Sequence, residues 1–192
     1  MRLLLSLLVI ACGTMWAGDA PAGYRKVSDI PFAEVDGHRL ALDLYLPEGK
    51  PGAPLVVFVH GGGWQRGSRT EMPLGGMAPA GFAFASVDYR LSPVARFPAQ
   101  AHDLKAAIRF LRAKQGEYGY NASRIAIAGT SAGAHLAALV GVTNGNKELE
   151  GTVGGNLDQS SDVQAILSYY GASDFMTILP QSTPFGLGVR VP

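Results

Sequence analysis

Strand-like and helix-like segments alternate along most of this 192-residue chain, and this order limits the fold more than any other feature. Residues 55–59 are an unbroken apolar run rich in valine, which is typical of a strand covered on both faces. Strands that alternate with helices predict a mostly parallel α/β sheet. The predicted strands cover residues 27–35, 39–45, 55–59, 82–88, 124–128 and 163–169, and the predicted helices cover residues 72–80, 98–116 and 132–142.

Two parts of the chain depart from this alternation. The first two predicted strands lie on either side of Asp36-Gly37, a pair that favours a tight turn, so they predict an antiparallel hairpin. Residues 143–162 are rich in Gly and Asn and predict a long loop. Loops of this length are either mobile or placed over a functional site, and the sequence leaves both alternatives open.

The composition suits a single folded domain. Hydrophobic residues make up 47% of the chain and charged residues 16%, which argues against a disordered chain. Sixteen Lys and Arg against fifteen Asp and Glu give a net charge of +1, so we expect no basic surface that binds nucleic acid.

Residues 1–22 have the pattern of an export signal, and residues 23–192 are expected to form the folded domain. Arg2 is followed by an apolar run too short to span a bilayer, so no transmembrane segment is expected. Two processing routes fit, one at the sequence Ala20-Pro21-Ala22 and one of the lipoprotein type before Cys12, the only cysteine. The first route predicts a periplasmic or secreted protein, and the second predicts a lipid anchor at Cys12.

Ser131 is the strongest candidate for a nucleophile. It is the centre of Gly129-Thr130-Ser131-Ala132-Gly133, a G-x-S-x-G pattern between a predicted strand and a predicted helix. A sharp turn there exposes the hydroxyl, and Gly129 and Gly133 are needed because a Cβ would clash with neighbouring backbone. The helix N-terminus favours negative charge, and the Ala132 N–H is predicted to donate to a substrate oxyanion. The plainer alternative is a glycine-containing turn without chemistry, and the next motif argues against it.

A second glycine-rich motif, His60-Gly61-Gly62-Gly63-Trp64, directly follows the apolar run that ends at residue 59. Successive glycines let backbone N–H groups approach a tetrahedral oxyanion, and each such donor contributes roughly 3 kcal/mol in the transition state. We predict Gly61 and Gly62 as the donors, with His60, Gly63 and Trp64 supporting the loop. His60 is expected to anchor the loop with its ring rather than to act as the base. A phosphate-binding loop does not fit, because no Lys follows.

With two further segments, these motifs resemble the hormone-sensitive-lipase and acetyl esterase branch of the α/β-hydrolases, especially its bacterial carbohydrate-esterase-like members. The further segments are Asp88-Tyr89-Arg90-Leu91-Ser92-Pro93 and Phe97-Pro98-Ala99 with Asp103. The resemblance implies a three-layer α/β-hydrolase fold and a serine carboxylic ester hydrolase that acts through an acyl-enzyme. The implied substrates are small-acyl esters, including acetyl or feruloyl esters of carbohydrate, and neither a metal nor an organic cofactor is implied.

Two other functions are compatible with such a chain. A catalytically silent binding protein, such as the gibberellin receptor, resembles these esterases, although the intact G-x-S-x-G turn argues against it. A prolyl-peptidase-like hydrolase shares the fold but usually carries a propeller domain, which this sequence does not suggest. In the esterase that the motifs predict, Trp64 and the loop after Val142 are candidates to line the acyl or alcohol pocket.

The resemblance also predicts which parts of a catalytic triad are missing. In this fold the acid and then the histidine follow the nucleophile, and the only histidine after Ser131 is His135, four residues into the predicted helix. We interpret His135 as a core or helix-capping residue. The resemblance places the triad Asp beyond Pro192, so Asp174 is interpreted as structural. The domain is therefore expected to be incomplete, to lack its last strands and, alone, to have no efficient turnover.

The remaining polar candidates are interpreted as structural. His38 lies beside a hairpin turn and His102 lies in a crossover helix, where histidines are seldom catalytic. Asp88, Arg90 and Asp103 are interpreted as a packing and ion-pair set.

Overall fold

The computed structural model describes residues 20–73 and 80–178. The predicted export signal lies almost entirely outside the described residues, as do Cys12, most of the helix predicted for residues 72–80, and the segment after residue 178.

The described strands form one six-stranded sheet in the order β1-β2-β4-β3-β5-β6. The strands are β1 (Tyr24–Val35), β2 (His38–Pro47), β3 (Ala53–Val59), β4 (Ala83–Val87), β5 (Tyr120–Thr130) and β6 (Ala165–Tyr169). β1 and β2 form the predicted antiparallel hairpin, and β2 also runs antiparallel to β4. β4, β3, β5 and β6 are mutually parallel. The mostly parallel α/β sheet predicted from the sequence is therefore confirmed.

The helices of the described part are α1 (Ala99–Tyr118), α2 (Ala132–Val142) and the short α3 (Lys147–Glu150). α1 continues past Gly116, where the sequence predicted its end, and stops at Gly119, which has φ 82°. Glycine adopts this left-handed conformation without steric cost, and the Gly119 N–H donates to the Gln115 carbonyl at 2.8 Å. None of these helices is long and apolar enough to cross a membrane.

β3 is buried on both faces, as its apolar run predicts. Leu55, Val57 and Val59 belong to the main core, which lies between the sheet and the apolar faces of α1 and α2. Val56 and Phe58 belong to a second, smaller cluster of apolar side chains. Because adjacent strand residues point to opposite faces, only a strand enclosed on both sides carries five successive apolar residues.

Residues 143–162 form a loop that is fastened at its base and along α1. The Asn144 side chain donates to the Val163 carbonyl at 2.9 Å and accepts from the Val163 N–H at 3.1 Å. Arg112 of α1 donates to the carbonyls of Ser160 and Asp162 at 2.9 and 2.7 Å. These bonds hold the loop to α1 and to Val163, shortly before β6.

Glu150 joins the same loop to two buried cations. The side chains of Lys105 and Arg109 are 0% and 1% exposed, and both form ion pairs with the Glu150 carboxylate. The Ser161 hydroxyl donates to that carboxylate at 2.6 Å. Burial raises the pKa of Glu150, but the hydrogen bonds from Ser161 and Arg109 and the charge of Lys105 outweigh it, so the pKa lies below its usual range.

We expect Glu150→Gln to lower the free energy of unfolding by about 2–3 kcal/mol, because two buried cations lose their counter-ion while the partly exposed site still admits water. Because the pKa of Glu150 is lowered in the folded state, its stabilisation is present above the unfolded pKa and is lost as pH falls through the folded pKa. Urea unfolding measures both effects. Glu148→Gln on the same short helix is the control, since Glu148 is exposed. Equal stability of the two variants would contradict this account of the loop.

Candidate active site

Ser131 occupies a strained turn between β5 and α2. Its backbone has φ 52° and ψ −120°, a conformation that side-chain-bearing residues rarely adopt. The Ser131 N–H donates to the Tyr169 carbonyl at the end of β6, at 3.0 Å. The residue is exposed, whereas Ala132 and Gly133 after it are buried. The fold therefore presents Ser131 to solvent at the carboxyl edge of the parallel strands.

The glycines on either side of this turn allow three backbone segments to meet. A Cβ placed on Gly129 would lie 2.4 Å from the Gly133 carbonyl oxygen. A Cβ on Gly133 would lie 2.2 Å from the Val59 carbonyl oxygen and 2.3 Å from that of His60. No side chain fits at these distances, so α2 starts in direct backbone contact with the end of β3.

The loop after β3 lies against the Ser131 turn. A Cβ on Gly61 would be 3.4 Å from the Ser131 Cβ and 3.0 Å from the Thr130 carbonyl oxygen. Ala132 begins α2, so its N–H belongs to the first helical turn, where N–H groups have no acceptor within the helix. The structure thus brings both Gly61 and Ala132 next to Ser131. No contact places Gly62 equally close to the turn.

Gly62 instead sets the shape of the loop. It has φ 100°, and its carbonyl accepts from the N–H groups of Gln65 and Arg66, both at 3.2 Å. A Cβ on Gly62 would lie 2.1 Å from the Arg66 carbonyl oxygen, whereas a Cβ on Gly63 (φ 63°) would meet nothing within 4 Å. Trp64 also has a positive φ, of 62°. The three glycines are therefore needed for different reasons: Gly62 leaves no room for a side chain and Gly61 leaves little, whereas Gly63 has room and is needed only for its positive φ.

His60 is buried beneath this loop and bonds within it. Its ring stacks on Tyr89 with centroids 4.4 Å apart, and its Nδ1 lies 2.9 Å from the Gly61 carbonyl oxygen. Because a carbonyl only accepts, Nδ1 carries the proton. Burial lowers the pKa of His60, although the Gly61 carbonyl has the opposite effect, so the ring is neutral at neutral pH. Anchoring by the His60 ring is consistent with this geometry.

Tyr89, Gly67 and Arg69 hold the loop in place, although no motif in the sequence assigned this role to them. The Tyr89 hydroxyl donates to the His60 carbonyl at 3.1 Å. Gly67 has no side chain, and a Cβ there would lie 2.5 Å from His60 Nδ1. Arg69 donates to both carboxylate oxygens of Asp88, at 2.9 Å from its N–H and 2.6 Å from its guanidinium. Tyr89 and Asp88 belong to a segment quoted for the family resemblance, but no pattern in the sequence pointed to Gly67 or Arg69.

The predicted ion-pair set divides into two. Asp88 pairs with Arg69, whereas Arg90 pairs with Asp103, with its Nε at 2.9 Å from one carboxylate oxygen and a terminal nitrogen at 2.8 Å from the other. The Arg90 N–H also donates to Asp103 at 2.9 Å. Asp103 is 0% exposed and lies in α1, so this pair joins the segment after β4 to the helix.

A pocket of about 450 Å³ lies between the glycine-rich loop and α2, and the lining residue nearest to Ser131 in the chain is His135, one helical turn later. The rings of Trp64, His135 and Phe175 contact one another edge to face at its wall, with centroids 4.9–5.6 Å apart. Trp64, which the sequence made a candidate to line the acyl or alcohol pocket, lines this cavity. The loop after Val142 was predicted to do so as well, but it contributes no described residue to the wall. The pocket is lined by Gly63, Trp64, Gln65, Ser92, Phe97, Gln100, His135, Leu136, Leu139 and Phe175.

The rings of the four histidines, all within the described residues, form no hydrogen bond with the Ser131 hydroxyl, although the backbone N–H of His135 donates to the Ser131 carbonyl at 3.1 Å. His102 Nε2 lies 3.2 Å from the Glu148 carbonyl oxygen, and His38 is exposed beside the hairpin turn. Asp174 accepts from the Met176 N–H at 2.9 Å and from the Thr177 hydroxyl at 2.7 Å, which closes a local turn. Within the described ranges, no group of His, Cys, Asp and Glu is arranged to hold a metal ion.

Comparison with known proteins points in one direction. The family described as BD-FAE matches residues 42–187. The chain is 37% identical over 126 residues to esterase LipC of Mycobacterium tuberculosis. The matched stretch is 64% of this chain and 31% of LipC. The chain spans about a third of the length of the curated relatives it matches.

Solved structures of esterases are similar to this one, and two of them have a CE or carbohydrate-esterase name. A bifunctional GH43-CE protein of Bacteroides eggerthii has a TM-score of 0.72 and 39% identity, over 79% of this chain and 21% of that one. A truncated form of a carbohydrate esterase from gut microbiota has a TM-score of 0.76 and 32% identity, over 84% of this chain and 63% of that one.

We expect Gly63→Ala to cost about 1–2 kcal/mol of unfolding free energy, because alanine resists a positive φ in otherwise open space. We expect Gly62→Ala to lower the free energy of unfolding by about 1–3 kcal/mol more than Gly63→Ala, because its Cβ also collides with the Arg66 carbonyl. Urea unfolding of the two variants measures the difference. If Gly62→Ala is no less stable than Gly63→Ala, the loop does not have the close packing described here.

Proposed function

Because the chain belongs to the BD-FAE family and has the α/β-hydrolase fold, we propose that the protein is a serine carboxylic ester hydrolase. The observation that carries this proposal is the packing of Gly61 against the exposed, strained Ser131 turn. A nucleophile and backbone N–H donors that face the same space are the minimum equipment for acyl transfer.

In the proposed reaction, Ser131 Oγ attacks the ester carbonyl carbon, and the N–H groups of Gly61, Gly62 and Ala132 stabilise the resulting oxyanion. The tetrahedral intermediate collapses, the alcohol leaves, and the acyl group remains on Ser131. Water then attacks the acyl-enzyme and releases the carboxylic acid. A base must take the Ser131 proton and return it to the leaving alcohol, and the proposal assigns that role to none of the four histidines of this chain.

The pocket favours a bulky aromatic acyl group over acetyl. An acetyl group would leave most of the roughly 450 Å³ empty, whereas a planar ring suits a wall that contains Trp64, Phe97 and Phe175. The similarity to the GH43-CE protein and to the gut carbohydrate esterase supports a carbohydrate as the alcohol. We therefore place feruloyl-type esters of carbohydrate first among the proposed substrates.

In a protein with the complete triad, we expect an aryl phosphonate to form a covalent adduct on Ser131, and aryl ester hydrolysis to fall on the order of 10⁶-fold in Ser131→Ala. Intact mass and peptide mapping locate the adduct, and release of p-nitrophenol measures turnover. Ser123→Ala is the matched control, because Ser123 is an exposed serine that bonds only Asn121. An adduct elsewhere, or none, would overturn the proposal and favour a catalytically silent binding protein.

We also propose that the protein is exported. The support is the sequence pattern of residues 1–22, which precedes the first described strand at Tyr24. Mass spectrometry of the mature protein from its host distinguishes the two routes: a free N-terminus near Ala22, or a lipid-modified Cys12 that is abolished in Cys12→Ala. An unprocessed Met1 would contradict both routes.

A further inference from the structure

His135 combines two features that neither the fold nor the proposed acyl transfer requires. It lies on α2 one helical turn after Ser131, and it is the only titratable side chain among the described residues of the pocket wall. Its ring contacts Trp64 at 5.5 Å and Phe175 at 4.9 Å, both edge to face, with interplanar angles of 83° and 71°. Aromatic contacts on two sides hold the imidazole in one orientation.

The two ring nitrogens of His135 have different surroundings. Nδ1 is buried and has no hydrogen-bond partner in the described part of the chain. Nε2 forms no hydrogen bond with the described residues and is not among their buried unpartnered atoms, so it is the more exposed nitrogen of a side chain that lines the pocket. An orphaned buried N–H is rarer in proteins than an under-satisfied acceptor. The favoured tautomer therefore keeps the lone pair on Nδ1 and the proton on Nε2.

Burial also favours the neutral imidazole. It lowers the pKa of His135, and no described carboxylate opposes this effect, so the neutral form is favoured at neutral pH. A neutral ring with the proton on Nε2 offers the pocket one hydrogen-bond donor in an otherwise largely apolar wall.

We infer that His135 is a specificity-determining residue, whose Nε2–H donates a hydrogen bond to an oxygen acceptor on the aromatic group that occupies the pocket. The inference rests on the proposed function, which places part of an ester substrate in this pocket. A ring without such an oxygen leaves the Nε2–H unpaired when the pocket is filled, and sites built to hydrogen-bond a ligand discriminate against analogues that lack the partner. The predicted ligand class is an oxygen-substituted aryl group.

The test measures binding without turnover, by titration calorimetry in the Ser131→Ala protein. The probes are methyl cinnamate, methyl 3-methoxycinnamate and methyl 4-methoxycinnamate, whose added oxygen only accepts. We expect at least one methoxy compound to bind about 3–10-fold more tightly than methyl cinnamate, the range of one neutral hydrogen bond. His135→Phe keeps the aromatic wall and loses this preference, whereas His135→Gln retains a side-chain N–H and recovers part of it.

Leu139→Ala is the matched control, because Leu139 lines the same pocket with an apolar side chain and should weaken all three probes alike. A methoxy preference that survives in His135→Phe, with thermal unfolding showing a folded variant, would overturn the inference. The inference would also be overturned if no probe binds while the phosphonate still modifies Ser131. In that case the proposed function stands. A preference that depends on His135, without any Ser131 adduct, supports the recognition role and removes the esterase function.

Discussion

The direct backbone contact between the start of α2 and the end of β3 is the constraint on which the site depends. Gly133 lies so close to the Val59 and His60 carbonyls that no side chain fits between them. This approach brings the Ser131 turn, at the end of β5, beside Gly61, at the end of β3. Parallel neighbours end at the same edge of a sheet, so pairing supplies the proximity and the glycines supply the last few ångströms.

The glycine-rich loop has no regular secondary structure, and its shape is maintained by contacts from elsewhere in the chain. The His60 ring stacks on Tyr89, and Arg69 is paired with Asp88 immediately before Tyr89. Two neighbouring residues directly after β4 therefore hold the segment from His60 to Arg69, Tyr89 through its ring and hydroxyl and Asp88 through its carboxylate. A stiff loop matters because oxyanion donors act only when they are oriented before the reaction.

Residues 143–162 illustrate how charge replaces apolar packing. α1 buries Lys105 and Arg109 completely, and the loop supplies the Glu150 carboxylate together with carbonyl acceptors. Buried cations are tolerable only with such partners, so the loop and the polar face of α1 depend on each other. The loop lies along the helix and away from the described pocket wall, which leaves the pocket to Trp64, Phe175 and the exposed side of α2.

Much of the fold was predictable from the sequence, because it depends on local patterns. Three features could be predicted from their spacing in the sequence alone. They are the apolar run of β3, the apolar face of α1 formed by Leu104, Ile108 and Leu111, and a serine between glycines at a strand-to-helix junction. The end of α1 was missed, because Gly116 is tolerated within the helix while only Gly119 takes the left-handed conformation.

The tertiary structure alone decided which distant residues meet. These pairs are Arg69 with Asp88, Glu150 with two buried cations, and His135 with Trp64 and Phe175. His135 was interpreted as a core or capping residue, whereas it is partly exposed at the pocket wall. A spacing of four residues specifies the side of a helix on which a side chain lies, but the segments packed against that side decide whether it is buried in the core or lines a cavity.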